Sequence, residues 1–218
     1  MSILSNFNVY ALMIVPIALM CSGHKIQLRK MGLLAFIMTL LQIQQSILLS
    51  SLFPSTWELT NQFVLRGFIF PLMEAMFFYF VLNNARAMQT LGLQDAHSAA
   101  PTVATVWCTC YTFFFRFFPW YHTMSRLGLQ IQPQVTAFEA FLQLISTLIV
   151  CRRVQRCTES PTKVVIYVIF SHFIGAMAVC LLSPSWLFVG DVVRTMLLLV
   201  GVALFPMRDL ERQRNKWK

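Results

Sequence analysis

Charge is what this sequence has least of. Only 11% of its 218 residues are charged, where an ordinary soluble domain carries about 25%, and a water-facing surface is hard to build from so little. Histidine is also sparse, with four scattered copies. The six cysteines, Cys21, Cys108, Cys110, Cys151, Cys157 and Cys180, include no CxxC pair, so a zinc site is not expected. Three of them fall in apolar runs, where a thiol behaves as a small hydrophobe, and no disulfide framework is expected. There is no Asn-x-Ser/Thr sequon, no internal repeat and no low-complexity stretch. No connection between apolar runs exceeds about 18 residues, which leaves no room for a separate catalytic or ligand-binding domain.

What is there is apolar: 57% of residues are hydrophobic and the mean hydropathy is +0.66. The apolar stretches are continuous rather than alternating, which argues for helices and against a transmembrane barrel. A helix satisfies its own backbone hydrogen bonds, as lipid requires, and needs about 20 residues to cross. Seven runs can be read, at 3–20, 31–53, 63–82, 101–121, 134–150, 164–182 and 187–207. The expected fold is an all-α membrane protein: a seven-helix bundle over 1–207 and a basic tail over 208–218. The first run has no basic residue ahead of it and no small-residue cleavage site, which argues against a removed signal peptide.

The scarce charges are unevenly placed. Lys25, Arg29, Lys30, Arg86, Arg152, Arg153, Arg156, Lys163, Arg208, Arg212, Arg214, Lys216 and Lys218 fall on one side of the seven spans, whereas the opposite connections contain Arg126 alone. Cytoplasmic loops retain Lys and Arg, so the C-terminus is expected in the cytosol and the N-terminus in the lumen. The net charge of +9 is thus first a topological signal, and DNA is not an expected partner. Anionic lipid headgroups, or ribosomal RNA, would meet the basic loop of Arg152, Arg153 and Arg156 and the tail of Arg212 and Arg214.

Six charges lie inside runs: Arg66, Glu74, Arg116, Glu139, Asp191 and Arg194. Each costs roughly 2.5–3.5 kcal/mol in hydrocarbon without a partner. Asp191 and Arg194 share a helix face and can pair locally. Glu74, the deepest, is expected to pair with Arg116 on the next span. If their depths do not match, Gln42 or Gln45 is the alternative partner. Amides such as Gln42, Gln44 and Gln45 usually join helices in lipid. Ser171 and His172 are adjacent, but neighbours on a helix point about 100° apart and no G-x-S-x-G turn is present, so a hydrolase is not expected. The cluster from Phe113 to Tyr121 reads as an interfacial aromatic belt ending at Pro119.

Residue order adds a family. Ala11-Leu12, Pro16 and Cys21-Ser22-Gly23, then Leu52-Phe53-Pro54-Ser55-Thr56-Trp57-Glu58, Glu74, and Arg116 with Pro119-Trp120 together resemble the transmembrane protein 147 family. The pattern covers most of the chain, and the tail 208–218 departs from it in being longer and more basic. The resemblance implies a seven-span, non-catalytic subunit of the BOS complex of the endoplasmic reticulum membrane. There it would sit beside nicalin-like and NOMO-like subunits at the ribosome-bound multipass translocon. It also implies that no cofactor is needed and that the segment with Phe53, Pro54, Trp57 and Glu58 meets a nicalin-like ectodomain. A seven-span receptor or a small transporter is the rival reading. Neither a lumenal cysteine pair nor paired broken helices supports these rivals.

Overall fold

The computed structural model describes residues 2–26, 31–51, 61–93, 96–123, 131–156, 165–166 and 168–174, with positions 177, 193 and 196. Every element among them is helical. The helices are α1 (Ser2–Gly23), α2 (Gly32–Ser51), α3 (Phe70–Asn83), α4 (Ala85–Thr90), α5 (Ala96–Tyr111), α6 (Phe118–Thr123) and α7 (Ile131–Arg156). Two π-helical segments extend them: π1 (Asn61–Ile69) runs into α3, and π2 (Thr112–Phe117) links α5 to α6. Five of the seven expected runs are therefore helices in the expected places. The sixth, 164–182, is helical where described, and the seventh lies outside the described residues apart from positions 193 and 196.

Both π segments have a proline two residues beyond their ends, Pro71 and Pro119. A proline within a helix removes one i→i−4 hydrogen bond and its ring presses on the carbonyl of residue i−4. Widening the preceding turns relieves that pressure, which is how a π-bulge forms. Pro16 sits inside α1 without such a widening.

Among the described residues three helices are long and apolar enough to cross a membrane, Asn6–Gly23, Val64–Asn83 and Pro133–Gln155, and Gly32–Leu48 is a shorter apolar helix. α5 is different. Its residues from Ala99 to Cys108 are all buried, and α1, α2, α3 and α7 pack round it. Its sequence explains this position, because Ala99, Ala100, Ala104 and Cys108 let neighbouring backbones approach closely. Trp107 fills the space that remains, with Phe78 edge-on at 5.3 Å and Phe77 tilted at 6.1 Å. The outer faces carry large apolar residues such as Phe7, Leu19, Phe36, Ile47, Met76 and Phe80, an apolar exterior suited to lipid.

α5 to α7 form an antiparallel hairpin about the connection 124–130. Arg116 and Glu139 are symmetric about a point between positions 127 and 128, as are Cys108 and Thr147, and both pairs are in contact. One register thus holds along the hairpin.

Candidate functional site: polar residues between the helices

Arg116 is placed by π2 and directed into the bundle, where its side chain is 4% exposed. Its Nη2 lies 2.7 Å from Oε1 of Glu139, whose side chain is 9% exposed. The same nitrogen donates to Oε1 of Gln143 at 2.9 Å, and Nη1 donates to the Thr136 carbonyl at 2.6 Å. The guanidinium also stands 5.2 Å from the Tyr111 ring centre. Gln143 follows Glu139 by one helical turn, so both acceptors share a face of α7. The arrangement is a charge-assisted clamp that ties the end of the fourth run to the fifth.

The ion pair corrects one expectation, since the short bridge of Arg116 is with Glu139 and not with Glu74. The register explains it. Arg116 and Glu139 are near the same end of the hairpin, whereas Glu74 is at the middle of Val64–Asn83. Glu74 instead accepts from Nε2 of Gln45, at 3.5 Å, the alternative that depth suggested. Gln42 acts elsewhere. Its Nε2 donates to the Trp107 carbonyl at 3.1 Å, joining α2 to the centre of α5. Cys110 adds a weak thiol contact to the Ala35 carbonyl at 3.8 Å. Tyr111, Gln143 and the two helix carbonyls do not stand out in the sequence. Only Gln143 leaves a trace there, as an amide one turn from a buried acid.

Ser171 and His172 turn to their own helix. The Ser171 hydroxyl donates to the Val168 carbonyl at 2.9 Å, and His172 Nδ1 lies 2.8 Å from the same oxygen. Among the described residues no group of His, Cys, Asp and Glu is disposed to hold a metal ion. Cys21, Cys108, Cys110 and Cys151 are free thiols.

Four of the basic residues collect at one end, Arg86, Arg152, Arg153 and Arg156. Asn83 Nδ2 donates to the Val154 carbonyl at 3.3 Å, which holds the end of α3 against the end of α7. Arg86, exposed Arg152 and half-buried Arg153 are therefore neighbours in depth. Arg156 ends α7 beside them. The expected ectodomain contact at Phe53, Pro54, Trp57 and Glu58, the Asp191–Arg194 pair, and Arg212 and Arg214 all lie outside the described residues. Comparison with protein-family models, with curated proteins and with solved structures gives no match.

Proposed function

We propose that this chain is a non-catalytic, seven-span subunit of an endoplasmic reticulum membrane complex, of the kind its resemblance to the transmembrane protein 147 family implies. In this reading its partners are a nicalin-like and a NOMO-like subunit, and the complex assists insertion and folding of multi-span proteins at the ribosome-bound translocon. The N-terminus is lumenal and the C-terminus cytosolic. The observation that supports the reading best is the use made of polar groups within the bundle. Arg116, Glu139 and Gln143 join α7 to π2, Gln42 joins α2 to α5, and Gln45 meets Glu74. Each of these side chains serves a contact between helices, as a packing scaffold requires.

Affinity purification of the full chain from mild-detergent extracts of microsomes tests the proposal. Nicalin-like and NOMO-like proteins in near-stoichiometric amount, with ribosomes at low salt, are the expected result. Recovery of a heterotrimeric G protein, or solute flux through the purified chain in vesicles, would replace it with the receptor or transporter reading.

A further inference from the structure

α5 is buried at every residue from Ala99 to Cys108, yet it is not wholly apolar. Thr102, Thr105 and Thr109 recur at spacings of three and four, which gathers them within about 60° of one helix face. A hydroxyl inside a helix commonly satisfies itself by donating to the carbonyl four residues back. Thr109 does so to Thr105 at 2.6 Å, and Thr90 to Arg86 at 2.9 Å. Ser50 and Ser51 follow the same habit.

Thr105 departs from it. The residue is 0% exposed, and its Oγ1 has no hydrogen-bond partner among the described residues. Thr102, one turn earlier and 5% exposed, likewise has none among them. Residues three apart on a helix hold their Cβ atoms about 5–6 Å from each other. Two hydrogen bonds of about 2.8 Å each, made through one intervening oxygen, bridge that separation. Pro101 lies inside the helix beside the pair and has no N–H, so the carbonyl of His97 goes without its donor from the next turn. Ser98 and Pro101, the neighbours on this face, are small. Two buried hydroxyls and a carbonyl freed from the helix ladder thus converge on one turn.

A hydroxyl buried without a partner is costly, and ordered water is what commonly answers such groups inside proteins. We infer that this turn of α5 binds a single water molecule, which accepts from the hydroxyls of Thr102 and Thr105 and donates to the His97 carbonyl. Three hydrogen bonds are the usual number for a buried water. Held in this way, it lets two polar side chains stand within the apolar cluster that includes Leu34, Ala99, Val103 and Val106. The competing arrangement is dry, with both threonines turned back to the carbonyls of Ser98 and Pro101 as Thr109 is to Thr105. The site belongs to α5 itself and does not depend on the complex proposed above.

The test uses the full chain in phosphatidylcholine vesicles, carbon-13-labelled at its threonine and valine methyl groups. Solid-state NMR reads the magnetisation these methyls receive from water. Those of Thr102 and Thr105 should polarise several-fold faster than those of Val103 and Val106, which are 0% and 2% exposed on the same turns. The excess at Thr102 should be lost in Thr105→Val, whose side chain keeps the shape and lacks the hydroxyl. The same change should lower the thermal midpoint of the detergent-solubilised chain by about 2–4 °C, the shift that one lost buried hydrogen bond gives at this chain length. Adding Thr102→Val should bring no further fall, because the water is already gone. Threonine methyls that polarise no faster than the valines, a midpoint raised or unchanged by Thr105→Val, or losses that add in the double variant would each overturn the inference.

Discussion

A guanidinium withdrawn from water is tolerable when its charge and its terminal N–H groups are answered, and the surroundings of Arg116 show how this chain answers them. Glu139 supplies the countercharge, while Gln143 and the Thr136 carbonyl accept further hydrogen bonds. Removing one member of such a pair leaves a buried charge unmatched, which costs about 3–5 kcal/mol. Glu139→Leu should accordingly lower the thermal midpoint of the detergent-solubilised chain by many degrees and deplete it at steady state. The double variant Arg116→Leu with Glu139→Leu should be more stable than Glu139→Leu alone, because no charge is left stranded. Strict additivity of the two substitutions would show that the pair is not the source of the loss. Glu74 belongs to a looser setting, half-buried and met by Gln45. Here Glu74→Gln should be nearly silent, and Glu74→Leu should reduce the steady-state level through loss of contacts that include the hydrogen bond from Gln45, such bonds being worth about 0.6 kcal/mol on average in membranes. A Glu74→Leu chain as abundant as the parent would deny the contact any structural weight.

Among the elements, the hairpin from α5 to α7 explains both what the sequence discloses and what it hides. The buried charges are legible one by one, since Arg116 and Glu139 interrupt apolar runs. Their pairing is not, because proximity in order favours Glu74 on the preceding span, while depth is set by distance from the connection. Gln143 and Tyr111 carry no such interruption, so their part emerges only once the register is known. The π segments are hidden for a related reason: proline at 71 and 119 announces a disturbance, but reads equally well as a helix end. The register itself can be checked. In a background with the six native cysteines replaced by alanine or serine, Thr112→Cys and Gln143→Cys are symmetric about the connection and should join rapidly under a mild oxidant. Phe113→Cys, at an outward-facing position 47% exposed, should not join Gln143→Cys. Equal rates for the two pairs would mean that the hairpin slides or turns in the membrane.

At the scale of the whole molecule, the uneven charge acquires a physical location. Connectivity puts Lys25 at the end of the bundle where α3 finishes, and the Asn83–Val154 hydrogen bond puts Arg86 there with Arg152 and Arg153. A glycosylation acceptor inserted after Trp57 or near Arg126 should be modified in microsomes, and one after Arg153 should not, with the opposite pattern reversing the proposed orientation. The same charge then raises the question of what the proposed cytosolic face touches. Arg208, Arg212, Arg214, Lys216 and Lys218 are opposed in the tail only by Asp209 and Glu211. Anionic headgroups attract such a segment by about 1 kcal/mol per basic residue without any specific partner. Ribosomal RNA would do so too, but with a steep dependence on salt, because each neutralised phosphate releases a counterion. Apart from Trp217, the tail lacks the aromatic residues that stack on bases, so contact with RNA would be to the backbone and indifferent to its sequence. Charge reversal at Arg152, Arg153 and Arg156 would disturb topology and binding together, which makes the tail the cleaner place to separate them. Deleting residues 208–218 should leave membrane insertion and binding of the proposed nicalin-like partner unchanged. It should lower co-sedimentation with ribosomes at moderate salt, and the deficit should shrink as salt rises and the parent loses its own contacts. If the truncated chain sediments with ribosomes as the parent does at every salt concentration, the tail acts on orientation or lipid alone.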